Sequence, residues 1–556
     1  DPWTWLIGAR IESLVALGVL VAAPFAWLAK TRPETAAYRA PEPLSKPSSL
    51  AGEAALSIAL GALAIVVCAI AGEQFARLPP AIHDEYSYLF QARTFLAGRV
   101  TFDSPPLPEL FDQMHVLNEG KMASRYFPAT GLWLAPFVAL GQPVWGWWLA
   151  QGIFTVLVYW IGRELGGRQC AAIAAVLTAL CPGLVFFSSL LLSHHPTLLG
   201  LGLFLLGMLR TLNRRCRKWA LVAGLGLAFA ALARPMTAAG AALPWGLFLV
   251  WRACRDRREL RFWPALAAPL IMGAGAMLAY DAAITGSAWE TPYGLYTKLH
   301  TPRHVYGFNN VTRGEQHLGP RVIDNYDRWA ENLTPQLAGK NVMNRVLTSA
   351  QWTLGILPVV FGLSLGLVMW PRLTAAARLC LASIVSLHLA HVPYWYDGIF
   401  HFHYVFETLP LWLLFLAAAG SSAVSGWNAA GRGWISRWCV AGLAAATAVN
   451  YTTEQGFWGA PFLDASNQSM FARQKYQSFR NRVASEVKQR PALVLVEPDP
   501  SDRHIDYVVN DPPLTGDVLV GRYLPDRYTA DEIREFWPDR TVYIYRVRAG
   551  TVSRMP

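Results

Sequence analysis

The chain has 556 residues, 53% hydrophobic and 15% charged, with a formal net charge of +11 and a mean hydropathy of +0.27. A soluble globular chain carries about 25% charged residues, and the apolar residues here fall in long blocks, which excludes an ordinary soluble domain and reads as a polytopic membrane protein. The basic residues sit in short loops between those blocks, as the positive-inside rule places them, so the charge does not call for nucleic acid.

In chain order, residues 5–28 read as a first span, weakened by Arg10 and Glu12 near its start. Residues 30–50, rich in Pro and Ser and carrying Lys30, Arg32 and Lys46, read as a cytoplasmic linker. No cleavable signal peptide is expected, and a start at Asp1 rather than Met fits a missing N-terminal piece. Residues 51–72 are predicted to run outward into a polar loop over 73–126. The apolar stretch 127–142 is short and interrupted by Pro128, Pro136 and Gly141, and is expected to be interfacial or re-entrant. Alternating spans follow over 144–162, 169–190, 196–210, 219–234, 236–251 and 262–282. A long outer polar loop over 283–349 precedes spans over 350–370, 379–394, 404–424 and 434–450. The count is about twelve, within eleven to thirteen. Residues 451–556 lose the apolar character. Ala492–Glu497, Val518–Tyr523 and Thr541–Val547 read as strands and Asp531–Phe536 as a short helix, a small α/β domain expected on the outer side.

The seven cysteines (Cys68, Cys170, Cys181, Cys216, Cys254, Cys380, Cys439) lie in apolar blocks or basic loops, which argues against a disulfide framework or a thiolate metal site. There is no Walker loop, dinucleotide fingerprint or nucleophile elbow. The polar determinants converge on the outer side instead: the 83–126 loop, Ser193-His194-His195, Arg234, the 283–349 loop and His391 through His403.

Within the first loop, Asp84, Ser87, Gln91 and Thr94 form one helical stripe and Tyr86, Leu89, Phe90 and Leu96 another, with Gly98 as a stop. This predicts an amphipathic helix lying in the membrane interface. Asp84 is expected to be a general base for a hydroxyl acceptor, against the alternative that it caps the helix. Glu85 points about 100° away and is expected to orient or support it. Arg234, before the helix-breaking Pro235, is either a snorkelling arginine or a cation for a phosphate. His194 and His195 suit a polar turn or phosphate contact better than a metal. His401 and His403, beside Tyr394, Trp395, Tyr396 and Asp397, suit sugar or phosphate. Tyr293, Tyr296, Lys298, His300, Arg303, His304 and Tyr306 form a basic aromatic run suited to a lipid phosphate. Sequons begin at Asn310, Asn332, Asn450 and Asn467.

The acidic pair after the first core span, Ser124-Arg125-Tyr126-Phe127-Pro128, and the turn Gly162-Arg163-Glu164-Leu165-Gly166-Gly167-Arg168 together resemble the GT-C superfamily over residues 50–450. The nearest likeness is to protein O-mannosyltransferases and lipid A aminoarabinose transferases. The resemblance implies a mainly α transmembrane helical bundle and transfer of a sugar from a polyprenyl-phosphate carrier to a protein, glycan or lipid hydroxyl on the extracytoplasmic face of a bacterial cell membrane. By it Asp84 matches the catalytic base, and Arg234 matches a basic residue near the donor phosphate. Arg125 and Tyr126 fall on the acceptor side. His195-Pro196 stands where relatives carry Asp-Pro, and His403 where an arginine is common.

The resulting domain expectation is 1–50, 51–450 and 451–556. No cofactor is required, and a divalent metal stays open. A single candidate base predicts inversion at the anomeric carbon. The competing expectations are a lipid or solute transporter, which would place charges at mid-membrane, and a non-catalytic assembly subunit, which would tolerate loss of Asp84.

Overall fold

A computed structural model describes residue 25 and residues 47–314, 324–452, 459–499 and 505–555. The expected span over 5–28 and most of the linker after it lie outside the described residues. Helix α1 (Pro47–Ala76) leads to α2 (His83–Leu96), which ends with Gly98 at φ +71°, the stop expected from the sequence. A small antiparallel sheet follows, β1 (Phe102–Asp103), β2 (Val116–Asn118) and β3 (Lys121–Ser124), in the order β1-β3-β2. Helix α3 (Pro128–Ala139), in the stretch expected to be re-entrant, is too short to cross a bilayer. Helix α4 (Trp145–Ala179) bends at Gly166-Gly167, where Gly167 has φ +81°, so it is two helices meeting at the basic turn. A short α5 (Pro182–Phe187) precedes α6 (His194–Arg214), α7 (Arg217–Ala233), α8 (Pro235–Arg255) and α9 (Trp263–Thr285).

Small residues let these helices approach closely. A Cβ on Gly61 of α1 would lie 2.9 Å from the Gly152 carbonyl oxygen of α4, and one on Gly152 would lie 3.0 Å from the Gly61 oxygen. Gly200 of α6 and Gly226 of α7 make the same reciprocal contact, at 2.6 and 2.5 Å. The basic loop ends gather at one end of the bundle, where three buried carboxylates offset part of their charge. Arg163 pairs with Glu53 at 3.0 Å, Arg210 and Arg214 with Glu164 at 3.1 and 2.8 Å, and Arg252 and Arg215 with Glu259, the former at 3.0 Å.

The 283–349 stretch is not one polar loop. It contains α10 (Pro292–His300) and most of α11 (Pro335–Leu354). The span expected over 350–370 breaks at Gly355 (φ +89°), where α11 and α12 (Ile356–Val368) meet at 97°. Helices α13 (Ala375–Ala390), α14 (Thr408–Ala429) and α15 (Trp434–Thr452) close the bundle. Among the described residues four helices are long and apolar enough to cross a membrane, or five if the bent pair is one span. The expected first span lies outside the described residues, and other expected spans, such as those of α7, α8 and α13, fold as helices that are shorter or more polar.

The C-terminal region opens with α16 (Phe462–Glu486), which the sequence reading did not anticipate. Strands β4 (Ala492–Glu497), β5 (Val518–Arg522) and β6 (Thr541–Arg546) and helix α17 (Ala530–Phe536) follow, close to the expected positions, and an edge strand β7 (Thr551–Arg554) that the sequence reading did not include ends the sheet. The order is β5-β4-β6-β7, parallel except for the β7 edge. Both faces of the sheet are buried, as parallel sheets require. Val494 and Val496 pack with Tyr476 and Phe479 of α16, and Leu493 and Leu495 pack with Leu110 and Phe111 of the first loop.

Helix α2 inserts Tyr86 into the first of these cores and Phe90 into the second. It is therefore buried on both sides, between bundle and sheet, which corrects the expectation of an interfacial amphipathic helix. The Asn310 and Asn450 sequon side chains are also buried, Asn310 donating to the Arg303 and Glu331 carbonyls.

Candidate active site

The start of α2 separates the two acids. Glu85 is fully buried at the third position of the helix. One carboxylate oxygen accepts from the Ala81 and Ile82 N–H groups at 2.8 and 3.0 Å, and the other from Leu191 N–H at 2.9 Å. Glu85, not Asp84, thus caps the helix. Asp84 turns toward a cavity of about 540 Å³, with its side chain 29% exposed. The Tyr126 hydroxyl donates to Asp84 Oδ1, and His115 Nε2 lies 3.7 Å from Oδ2.

His115 and Arg125 form a layer beneath Asp84. His115 Nδ1 is 3.3 Å from Arg125 Nη1. A guanidinium only donates, so Nδ1 accepts and the ring proton sits on Nε2, toward Asp84. Burial lowers His115 to about 3, reinforced by Arg125 and opposed by Asp84, so the ring is neutral at physiological pH. Arg125 is itself buried. Its guanidinium lies 3.8 Å from the Tyr293 ring centroid and 4.5 Å from that of Tyr296, and it donates to Thr297 Oγ1 at 3.2 Å. Such desolvated cation–π contacts are worth about 2 kcal/mol.

The opposite wall carries Arg234, held in the break between α7 and α8 with Pro235 opening the latter. Arg234 Nη1 is 2.7 Å from His194 Nδ1, Nε is 3.8 Å from Glu407 Oε1, and Nη2 approaches the His403 carbonyl at 3.5 Å. His403 Nδ1 accepts from Ile399 N–H at 2.7 Å, which directs its other nitrogen elsewhere. Burial, with Arg234 nearby, holds His403 well below the usual imidazole range. Lys298 and Arg313 also line the cavity.

Of the residues singled out from the sequence, Asp84, Arg125, Tyr126, His194, Arg234, Tyr293, Lys298, His304, Tyr306, His391, Tyr394 and His403 meet at this cavity. Glu85, His195, Arg303 and Tyr396 do not. Glu85 is behind the helix start. His195 is buried, its ring 5.9 Å from that of Phe406. Arg303 lies against Asp327 at 3.5 Å. Tyr396 lines a separate cavity. Among the described residues no group of three or more His, Cys, Asp or Glu is placed to hold a metal ion.

Sequence reasoning missed His115, Glu407, Arg345 and Arg473. Arg345 donates to the carbonyls of His391, Tyr394, Tyr396 and Asp397, and so fixes the aromatic loop. A lone arginine in an otherwise half-polar helix is the only signal of this in the sequence.

No protein-family model matches the chain, and no curated protein matches it. Among solved structures it resembles ArnT from Cupriavidus metallidurans bound to undecaprenyl phosphate, with a TM-score of 0.50 and 12% identity over 88% of this chain and 92% of that one. It also resembles an Archaeoglobus fulgidus oligosaccharyltransferase in the apo form (TM-score 0.48, 13% identity, 78% of this chain and 58% of that chain). A third is the archaeal oligosaccharyltransferase AglB from the same organism with an inhibitory peptide and a dolichol-phosphate (TM-score 0.49, 12% identity, 81% and 63%). The fold is that of ArnT, and with at least four helices long and apolar enough to cross a membrane among the described residues the chain is an integral membrane protein.

Proposed function

We propose that the chain transfers a sugar from a polyprenyl-phosphate carrier to a hydroxyl acceptor, with inversion, on the extracytoplasmic face of the membrane. One observation carries this: a single cavity is lined by one carboxylate, Asp84, and by the cations Arg125, Arg234, Lys298 and Arg313. The acceptor hydroxyl meets Asp84, its oxygen attacks the anomeric carbon, and its proton passes to Asp84. The bond from that carbon to the phosphate oxygen breaks, and the departing polyprenyl phosphate is met by Arg234, with His194 beside it and Lys298 also lining the cavity. Tyr126 and His115 hold the carboxylate in place. Glu85 keeps the helix start rigid and takes no part in proton transfer.

An apolar groove of about 950 Å³ between α8 and α13 supports a lipid carrier. It is lined by Leu243, Leu247, Phe248, Val385 and Leu389, and it shares Met236 with the site cavity. A polyprenyl chain in this groove would bring its phosphate to Arg234, two residues before Met236. ArnT from Cupriavidus metallidurans, of the same fold, was solved with undecaprenyl phosphate. The bundle over 51–450 is the catalytic domain in this reading, and 451–556 is an extracytoplasmic domain that covers the acidic loop.

The test is reconstitution in vesicles with labelled polyprenyl-phosphate sugars and an envelope extract as acceptor source. Wild type is expected to transfer label and Asp84→Asn to lose about 10²-fold or more. Transfer by Asp84→Asn at the wild-type rate would remove Asp84 as the base.

A further inference from the structure

A second cavity, of about 430 Å³, lies beside the first. That size falls within the range of roughly 300–1,000 Å³ usual for ligand sites. Its walls come from Ala81-Ile82, directly before the acidic loop, from the aromatic loop 396–401, from α11 and from α16. Ile399 is common to both cavities. We propose that this second cavity is a subsite for a neutral saccharide unit of the acceptor. The acceptor role rests on the transfer reaction above; the sugar binding stands without it.

The first argument is charge. The site cavity is lined by Arg125, Arg234, Lys298 and Arg313, whereas no Lys or Arg lines the second. The charged side chains that line it are Asp464, which accepts from Gln468 at 2.9 Å, and His401, which is paired with Asp397 at 2.6 Å. Nothing there would offset a phosphate.

The second argument is the kind of surface. Tyr396 and Phe400 offer ring surface for the C–H face of a sugar, and Gln468 and Asp464 offer polar atoms for its hydroxyls. The third is unmet hydrogen-bonding capacity. Thr348 is 4% exposed and Trp352 is 0% exposed. Neither the Thr348 hydroxyl nor the Trp352 indole N–H has a hydrogen-bond partner among the described residues. Buried polar groups are almost always paired, so two residues of one cavity wall with unpaired donors, both atoms themselves buried, can gain a partner in a ligand's hydroxyl oxygens once a side chain turns.

The position fits an acceptor. A saccharide seated here would lie against Ile82 at the base of the acidic loop, with Ile399 between it and the donor cavity. One linked hydroxyl would then extend past Ile399 toward Asp84.

The test uses the full chain in nanodiscs and the methyl glycosides of glucose, mannose, galactose and N-acetylglucosamine, with binding read by saturation-transfer NMR. At least one glycoside is expected to bind. Gln468→Trp, an exposed position that would fill the cavity, and Thr348→Val, which removes an unpartnered hydroxyl at constant shape, should each weaken binding about ten-fold. Inorganic phosphate should not displace the sugar. The subsite is overturned if none of the four glycosides binds, if both substitutions leave binding unchanged, or if phosphate competes. If no lipid-linked donor supports transfer while the glycosides still bind in a Gln468-dependent way, the transfer reaction falls and the sugar subsite stands.

Discussion

Arg473 and Glu85 form a buried ion pair, 3.4 Å apart, across 388 residues of sequence. Arg473 also donates to the Pro79 carbonyl at 3.1 Å and to the Ser189 carbonyl at 2.9 Å. One guanidinium from the C-terminal helix therefore ties together the entry to the acidic loop, its capping carboxylate and the segment that leads into α6. The C-terminal region is thus part of the scaffold that aims Asp84.

Removing one partner of this pair leaves an uncompensated buried charge. Arg473→Leu is expected to cost about 3–5 kcal/mol. The double variant Arg473→Leu with Glu85→Leu should recover part of that loss, because no lone charge then remains. A thermal-unfolding cycle over the single and double variants measures the coupling. Additive losses would show that the two residues do not stabilise each other.

Tyr126 donates to Asp84 and stacks on Tyr88 with ring centroids 4.5 Å apart. Tyr126→Phe keeps the stack and deletes the hydrogen bond. A hydrogen bond to a charged group is worth about 1.5–3 kcal/mol, so transfer should fall roughly 10- to 150-fold in kcat, with little change in melting temperature. Equal transfer by the Phe variant would mean that Asp84 is oriented by other groups.

The sequence announced the helical bundle, the acidic stretch and the C-terminal strands, because long apolar blocks and β-branched runs are local signals. It did not announce what covers α2. The spacing of Asp84, Ser87 and Gln91 looks like a solvated stripe, yet Ser87 donates to the His115 carbonyl at 2.7 Å, and Gln91 donates to the Tyr126 carbonyl at 2.8 Å and accepts from Gly131 N–H at 3.0 Å. Periodicity cannot tell water from a distant loop that supplies the same hydrogen bonds. The same limit hid Arg345 and Arg473, whose partners are mostly backbone carbonyls and leave no pattern of their own. Arg234 was legible because Pro235 breaks an apolar run directly after it.

In the proposed reaction Arg234 and Met236 would meet opposite halves of the lipid-linked donor. Arg234→Ala should raise the KM for a polyprenyl-phosphate sugar about 10- to 100-fold, since it removes a charge-assisted contact to the phosphate. Met236→Trp, at the junction of groove and cavity, should impair long polyprenyl donors more than short-chain analogues. Steady-state kinetics over donors of increasing chain length separate the two effects. Equal loss at every chain length would disconnect the groove from the carrier.

Acid should destabilise the folded chain through two histidines outside the bundle helices, His115 in the first loop and His304 in the 283–349 stretch. Burial lowers His115 to about 3 and His304 to about 4, whereas both titrate near 6.5 when unfolded. Below pH 6.5 the unfolded chain therefore binds more protons than the folded one, and stability falls as pH falls. The stabilisation is complete above about pH 6.5 and is lost progressively toward pH 3–4, at up to about 1.4 kcal/mol per pH unit for each histidine. Between pH 7 and pH 5 this amounts to about 2 kcal/mol apiece. Melting curves at the two pH values should show a smaller acid-induced drop for His304→Asn than for wild type, and a smaller one again when His115→Asn is added. Carboxylates contribute equally to all three proteins, so an unchanged drop in the double variant would place the acid sensitivity outside this pair.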